Sequence, residues 1–237
     1  MIYTFDSRVR YSETTPDGRM GLHPLMNYLQ DCSTFQSEDL GVGVEALHRV
    51  GRVWMLASWQ IVVERYPVFG EKITIGSLAT DYDALFANRN FFIKDETGEM
   101  IVKANSIWIY VSMETGHPVP LSEANMAPYG IEEPLPMERA PRKIRLPKSG
   151  GVEGRHITIG EHHLDSNLHV NNGQYVRLAV NALGGHIFPK QIRAEYKKAA
   201  LVGDVMIPVI YREGNKTIVS LKSENGEVFS NVEFTLE

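Results

Sequence analysis

The sequence predicts an α+β protein in which a long helix packs against an antiparallel sheet, with this unit present twice. Apolar residues recur at helical spacing over residues 22–40 and again over residues 175–182. Segments with the composition of β-strands follow each helical stretch. The dipeptides Thr97-Gly98 and Asn225-Gly226 are hairpin-turn signals, and each lies between two such segments. A helix layered on an antiparallel sheet accounts for both halves.

The first predicted helix has an apolar face about five turns long, and Pro24 lies near the first helical position, which favours proline. Its apolar face consists of Leu22, Leu25, Met26, Leu29, Cys32, Phe35 and Leu40. Strands are predicted after it at residues 53–65, 71–80, 88–95 and 99–112, where Ile73 and Ile75 show the alternation of a strand.

The second predicted helix is shorter and begins near residue 172. Its apolar positions follow the i, i+3, i+4, i+7 pattern and are Tyr175, Leu178, Ala179 and Ala182. The pair Gly184-Gly185 provides a stop signal. Asn171 or Asn172 is suited to the N-cap, because an asparagine side chain accepts a hydrogen bond from a free backbone N–H of the first turn.

The order of features repeats along the chain. Residues 16–22 precede the first helix as residues 164–170 precede the second, which places Asp17 opposite Asp165. Residues 60–71 correspond to residues 191–204, and residues 93–99 correspond to residues 221–227. We interpret the chain as a duplicated unit.

Residues 128–154 contain five prolines and little apolar periodicity, a composition typical of a linker. The alternative is an extended strap packed on the surface. We place one domain at residues 1–130, a linker at residues 131–149, and a second domain at residues 150–237. The second domain is short, so we expect it to need the first to complete its sheet.

Residues 165–172 contain the candidate catalytic side chains. Asp165, Asn167 and His169 place a carboxylate, an amide and an imidazole within five residues, directly before the second helix. The N-terminus of that helix offers backbone N–H groups and a positive dipole end, which stabilise an oxyanion. The segment therefore predicts activation of water for acyl transfer. The alternative is a loop that only caps the helix.

Composition excludes several other classes. The single cysteine, Cys32, forms no intrachain disulfide and lies on the apolar face of the first helix, which predicts a core residue. The net charge of −5 disfavours nucleic acid as a partner. The longest apolar stretch is residues 107–111, far below a membrane span, and residues 1–10 lack the apolar core of a signal peptide, so we expect a cytoplasmic protein without membrane insertion.

The histidines raise the question of a metal site, which the spacing does not support. They cluster at His156, His162, His163 and His169, but no pair of histidines has the spacing of a zinc motif and no cysteine pair is present. A glycine-rich phosphate loop is also missing from the sequence. We expect neither a metal nor a nucleotide cofactor.

The chain resembles the acyl-acyl carrier protein thioesterases of plants and bacteria. The segments that carry the resemblance are Val53-Trp54-Met55, residues 62–67 with Gly70-Glu71, residues 104–108, residues 165–172 and Glu195-Tyr196-Lys197-Lys198. Together they run through most of the chain. The resemblance implies two fused hotdog domains, with the active site in the second domain and an acyl tunnel lined largely by the first.

By this resemblance Asp165, Asn167 and His169 match the catalytic loop of the family. Plant members place a Glu-Cys pair just after the Glu-Tyr-basic-basic run, where this chain has Ala199 and Ala200. The departure excludes a cysteine nucleophile there and removes one proposed catalytic glutamate. We therefore expect water attack, with His169 as general base or water orienter, Asn167 orienting water or thioester, and Asp165 orienting the base. The expected substrate contacts are Trp54, Asn171, Asn172 and Glu195.

The implied reaction is hydrolysis of fatty acyl-acyl carrier protein to a free fatty acid, without a cofactor. Because the carrier is an acidic protein as a class, we expect it to bind basic surface. The docking candidates are Arg177, Lys190, Arg193, Lys197 and Lys198, with the basic run over residues 139–148 as a second choice. Two alternatives stay open: an acyl-coenzyme A thioesterase, and a protein that binds acyl chains without cleaving them. A homodimer, the preferred chain length and the degree of saturation stay open as well.

Overall fold

The structure is a computed structural model that describes residues 1–165 and 168–236. The chain divides into two compact units. Unit 1 comprises Met1–Ala57 and Val63–Ala140, and unit 2 comprises Ser58–Val62 and Pro141–Glu237. The boundary at residues 140 and 141 falls within the predicted linker of residues 131–149, and a short piece of an early strand, Ser58–Val62, belongs to unit 2.

Unit 1 contains most of the first half of the chain. Its elements are β1 (Tyr3–Arg8), a 3-10 turn (Tyr11–Glu13), α1 (Leu22–Asp39), α2 (Val44–Arg49), β2 (Arg52–Val63), β3 (Lys72–Tyr82), β4 (Ala87–Lys94), β5 (Met100–Ser112) and α3 (Glu123–Met126). The strand order is β1, β3, β4, β5, β2, and the β1/β3, β3/β4 and β4/β5 pairs are antiparallel. The hairpin predicted at Thr97-Gly98 joins β4 to β5, where Gly98 has a φ of 86°.

Helix α1 packs against β1 and β3, as the periodicity predicts. Leu25, Leu29 and Cys32 are fully buried on this face. Burying each leucine contributes about 1.5–3 kcal/mol, so the apolar stripe holds the helix on the sheet. Phe35, which the sequence assigns to the same face, is 46% exposed and contacts the ring of Phe5 at its edge.

Unit 2 repeats the arrangement with shorter elements. They are β6 (Val152–Glu153), β7 (Ile157–Thr158), a 3-10 turn (Glu161–His163), α4 (Asn172–Ala182), β8 (Gln191–Tyr196), β9 (Val205–Glu213), β10 (Lys216–Lys222) and β11 (Val228–Thr235). Residues Ser58–Val62 of β2 pair with β8. From β8 the strand order continues as β11, β10, β9 and β6, and β7 also pairs with β9. The second predicted hairpin, at Asn225-Gly226, joins β10 to β11.

Helix α4 contacts β10 and β11. Its buried face includes Tyr175, Leu178 and Ala179, as the helical pattern predicts. Both helices therefore lie against an antiparallel sheet, and the predicted α+β class is confirmed. No helix in the described part of the chain is long and apolar enough to cross a membrane.

Residues 131–148 form neither helix nor strand, yet they are hydrogen-bonded to each unit. In unit 1 the backbone N–H of Leu135 donates to the side-chain oxygen of Asn90 at 2.9 Å. In unit 2 the backbone N–H of Ile144 donates to Oε2 of Glu195 at 3.1 Å. Of the two alternatives, a linker or an extended strap packed on the surface, the segment is therefore the strap. We refer to residues 131–148 as the strap.

Candidate active site

The loop before α4 has a structural counterpart before α1, and the two match at a constant offset of 150 residues. The backbone N–H of Asp165 donates to the carbonyl of His169 at 2.9 Å, as that of Thr15 donates to Arg19 at 2.8 Å. The N–H of Leu168 donates to the carbonyl of Asp165, as that of Gly18 donates to the carbonyl of Thr15. The N–H of Asn171 donates to the carbonyl of His163, as that of Gly21 donates to the carbonyl of Glu13. The bridges Leu164↔Val170 and Thr14↔Met20 complete the correspondence.

This correspondence corrects the register of the sequence repeat by two residues. The structure places Thr15, not Asp17, opposite Asp165, and Arg19 opposite His169. The sequence comparison went wrong because it matched the shared aspartates, whereas the backbone is set by the bonds that close each loop. Because Arg19 stands opposite His169, the first loop has no imidazole at this position. In that loop Asp17 forms an ion pair with Arg19.

Asn167 corresponds to Asp17 at the same offset. Ser166 and Asn167 lie outside the residues that the structure describes, so the role assigned to Asn167 stays a prediction.

Leu168 adopts a backbone conformation that is unusual for its residue type. Its φ is 60°, in the left-handed region, where the corresponding Gly18 has a φ of 80°. Glycine adopts this region freely, whereas a residue with a Cβ is strained by about 1–2 kcal/mol. Such strain persists where the surrounding structure imposes it, and it clusters at functional sites. Leu168 is also 71% exposed, which directs a large apolar side chain to the surface beside His169.

The described residues of the two loops differ in their contacts to a neighbouring turn. In unit 1 the N–H of Phe69 donates to the carbonyl of Gly18 at 2.9 Å, and Arg19 forms a β-bridge with Val68. Among the described residues of unit 2, no corresponding bond joins Leu168 or His169 to the turn at residues 201–202.

The base of the loop, in contrast, is fixed. The N–H of Val170 donates to the carbonyl of Ala200 at 3.1 Å, and the N–H of Ala200 donates to the hydroxyl of Tyr175 at 2.9 Å. The hydroxyl of Tyr196 donates to the carbonyl of Asn172 at 2.9 Å, and its ring meets that of Tyr175 edge to face. These two tyrosines hold the start of α4 against the end of β8. The sequence predicted Tyr175 as a core residue and missed this role for both.

The N-terminus of α4 is capped as predicted. Asn171 is the N-cap, and its side-chain oxygen accepts from the N–H of Gly173 at 2.9 Å. The N–H of Gln174 donates to the carbonyl of Asn171. The N–H groups of Gly173 and Gln174 are therefore already used, so the contribution of this helix end to an oxyanion site comes from the positive end of the helix dipole. Asn171 acts here as a cap, and the proposed substrate contact of Asn172 remains a prediction.

Electrostatics around the loop distinguish its ionisable groups. Burial is the main cause that raises the pKa of Tyr175 to about 12, and the charges of Asp165 and Asp204 add to it. Tyr175 therefore stays protonated at neutral pH and serves as a hydrogen-bond partner.

His163 differs from His169 in its environment. Burial lowers the pKa of His163, and the adjacent His162, whose ring centroid is 3.9 Å away, lowers it further. Its Nδ1 accepts from the N–H of Gly160 at 3.0 Å, which caps the 3-10 turn. Glu13 performs this task in unit 1, where its carboxylate accepts from the N–H of Arg10. His163 is therefore a structural residue, and the catalytic role of His169 stays a prediction.

Glu195 lies on the opposite face of β8 from the catalytic loop. Successive side chains of a strand point to opposite faces, and Tyr196 points to α4. Glu195 accordingly points to the strap, where Oε2 accepts from the N–H of Ile144 and the amide of Asn231. It is 3% exposed. The structure does not bring it together with His169, and these bonds give it a role in holding the strap.

Trp54 belongs to unit 1, where its ring packs on Tyr110 with centroids 4.8 Å apart. It is half-buried at the edge of a cluster that contains Ala79, Ala87 and Met126. This is an apolar environment within unit 1, and the role of Trp54 in substrate binding stays a prediction.

The five docking candidates fall into two groups. Arg177, Lys190, Lys197 and Lys198 are exposed, and Lys198 is ion-paired with Glu227. Arg193 has a side chain only 11% exposed, because it donates to Glu233 and to the carbonyls of Pro141 and Lys143. The sequence could not distinguish Arg193 from its neighbours, and the structure removes it from the docking set.

Comparisons with known proteins agree with this architecture. The family described as acyl-ACP thioesterase N-terminal domain matches residues 2–129, more than half of the chain. The chain belongs to the acyl-ACP thioesterase family. In Cuphea viscosissima, the chloroplastic acyl-[acyl-carrier-protein] hydrolase FATB1 is 23% identical over 215 residues, which cover 84% of this chain and 51% of that protein. The chloroplastic palmitoyl-acyl carrier protein thioesterase of Arabidopsis thaliana is 21% identical over 188 residues, 74% of this chain and 46% of that protein. The chain thus spans about half the length of these plant relatives.

Two solved structures share the fold over nearly the whole chain. An acyl-ACP thioesterase from Bacteroides thetaiotaomicron superposes with a TM-score of 0.88 at 24% identity, covering 100% of this chain and 98% of that one. The 12:0-ACP thioesterase from Umbellularia californica gives a TM-score of 0.87 at 17% identity, covering 99% and 96%. The prediction of two hotdog domains is confirmed.

Proposed function

We propose that the protein hydrolyses the thioester of a fatty acyl chain carried by acyl carrier protein. Family membership supports the thioester as substrate, and the plant relatives are hydrolases of acyl chains on acyl carrier protein, which supports the carrier. The observation that carries the proposal is the loop around His169. The same loop closure occurs in both units, but only the copy in unit 2 has an imidazole four residues after a carboxylate, directly before a helix.

The reaction needs a base, a fixed water and a place for negative charge. His169 accepts a proton from water, and the hydroxide oxygen attacks the thioester carbonyl carbon. Asp165 lies four residues before His169 in the closed loop and stabilises the imidazolium that forms. The developing oxyanion is stabilised by the positive end of α4. The carbon–sulfur bond then breaks, and the thiolate leaves with the proton from His169.

The environment of Ala199 and Ala200 favours water over a protein nucleophile. Ala200 is fully buried, and its N–H and carbonyl are both used to hold Tyr175 and Val170. No nucleophilic side chain is available at either position. The protein also contains a single thiol, at Cys32 in unit 1.

Product analysis tests the proposal directly. The protein is incubated with acyl-carrier and acyl-coenzyme A thioesters of graded chain length, and the released free fatty acid is quantified by mass spectrometry. We expect release from the carrier thioester well above the spontaneous rate. Faster release from coenzyme A at equal concentration would instead assign the coenzyme A thioesterase activity. Chain binding without release from either substrate would contradict hydrolysis.

A cytoplasmic location and a homodimer are further predictions. Cell fractionation tests the first, and light scattering of the purified protein tests the second.

A further inference from the structure

Unit 2 contains a groove between the strap and the outer face of its sheet, with a volume of about 980 Å³. Six basic side chains contribute to its lining: Arg142, Lys143, Arg145, Arg193, Lys197 and Lys216. Three acidic side chains also line it: Glu195, Glu213 and Glu233. In a chain of net charge −5, this surface has the opposite sign to the whole.

The accessible charge of the groove is more basic than this composition suggests. Glu195 and Glu233 are 3% and 5% exposed. The first is neutralised in part by the N–H of Ile144 and the amide of Asn231, and the second by Arg193 at 3.0 Å. Their charges are therefore satisfied inside the protein. Glu213 is the remaining exposed acid of the lining, against exposed Lys143, Arg145, Lys197 and Lys216.

The strap that forms one wall is held in place, so its basic residues are presented in a fixed arrangement. Arg193 donates to the carbonyls of Pro141 and Lys143, at 2.5 and 3.1 Å. Ile144 is 6% exposed and packs with Tyr211 and Ile218. A surface that is already ordered loses less conformational entropy on binding a partner.

The groove and the loop of residues 165–169 lie on opposite faces of β8, and Lys197, which directly follows β8, links the two along the chain. Lys197 is three residues before Ala200, a distance of at most about 10 Å along the backbone, and the carbonyl of Ala200 accepts from the N–H of Val170, the neighbour of His169. The first part of the strap has the opposite character. Residues 131–140, which belong to unit 1, carry Glu132, Glu133 and Glu138 against one basic residue, Arg139, whereas the basic residues of the groove lie in unit 2.

We propose that this groove is the docking surface for an acidic face of the acyl carrier protein. The identity of the partner rests on the proposed function, and the location of the docking surface rests on charge complementarity. The carrier binds along Lys143, Arg145, Lys197 and Lys216, with its acyl group directed to the loop at the Lys197 end. Complementary charge accelerates encounter and fixes orientation, and both effects weaken as salt screens them.

The test is a binding measurement that does not depend on catalysis. Fluorescently labelled holo-carrier is titrated with the wild-type protein, with Lys143→Glu/Arg145→Glu, and with Arg212→Glu, by anisotropy at low and at high salt. Arg212 is exposed on β9 outside the groove and provides the same change of charge. We expect the double variant to bind at least about tenfold more weakly at low salt, with a smaller salt dependence, and Arg212→Glu to bind as the wild type does.

A double variant with wild-type affinity would overturn the proposal, as would a wild-type protein that does not bind the carrier. If the double variant does not fold, as judged by circular dichroism, the single variant Arg145→Glu replaces it, because its side chain is exposed. The proposed function fails separately. A protein that binds the carrier in this groove but releases no fatty acid keeps the docking surface and loses the hydrolase assignment. A protein that releases fatty acid but binds the carrier regardless of these charges keeps the hydrolase assignment and loses the docking surface.

Discussion

The backbone N–H of Asp165 donates to the carbonyl of His169, and this bond closes the same loop that Thr15 and Arg19 close 150 residues earlier. The protein thus carries an internal comparison: the same loop-closing hydrogen bond occurs twice, with Arg19 in unit 1 where unit 2 has His169. Unit 1 closes its loop without an imidazole, so closing the loop does not require His169.

This comparison provides a matched control for catalysis. We expect His169→Ala to lower the hydrolysis rate at least about a hundredfold, the usual scale of lost acid-base assistance. Arg19→Ala, at the corresponding position of unit 1, should change the rate little. Both variants are checked for folding by thermal melting and then assayed with saturating acyl-carrier substrate. Near-normal turnover in a folded His169→Ala variant would remove this loop from the mechanism.

Cys32 should be inert. Burial is the main cause that raises its thiol pKa to about 12, and the sulfur contacts the carbonyls of Tyr3 and Ile75. A thiol that stays protonated is a poor nucleophile. We expect Cys32→Ser to keep most of the activity and to lose about 1–2 kcal/mol of stability, since a hydroxyl is costlier to bury. A covalent acyl adduct on Cys32, detected by mass spectrometry, would contradict water attack.

His163 should make stability depend on pH. Its folded-state pKa lies below the ordinary value of 6.5, because burial disfavours the charged ring. The unfolded chain therefore binds a proton more readily, and the free energy of unfolding falls as the pH drops below about 6.5. Above this pH the group costs no stability. His163→Gln keeps an acceptor for the Gly160 N–H without titrating, so its urea midpoint should fall less between pH 7 and pH 5. Equal slopes in both proteins would exclude His163 as the cause.

Much of the fold can be predicted from the sequence because it is encoded locally. The period of Leu22, Leu25 and Leu29 predicts α1, and the Asn-Gly dipeptide predicts the hairpin at residue 226. The N-cap at Asn171 is also a local signal. Each depends on neighbours within a few residues.

The remaining features depend on contacts that a single sequence does not display. Whether Glu195 faces the catalytic loop or the strap is decided by which side of β8 the strap covers. The register of the repeat depends on loop-closing bonds, which involve the backbone and leave no mark on residue type. Leu168 gives no signal at all, because leucine is not a residue expected at positive φ.

Arg193 should act on stability through the strap. Its guanidinium donates to Glu233, whose side chain is 6% exposed, and to the carbonyls of Pro141 and Lys143. Arg193→Ala leaves a buried carboxylate with only a distant partner, Lys216 at 3.5 Å, and should cost about 3 kcal/mol or more in the free energy of unfolding. Arg193→Ala/Glu233→Ala should cost less than the sum of the two single variants, because the residues form one interaction. Urea unfolding of the four proteins gives the coupling energy, and hydrogen exchange at the Ile144 amide reports whether the strap has come loose. Additive costs with unchanged protection at Ile144 would show that Arg193 does not hold the strap.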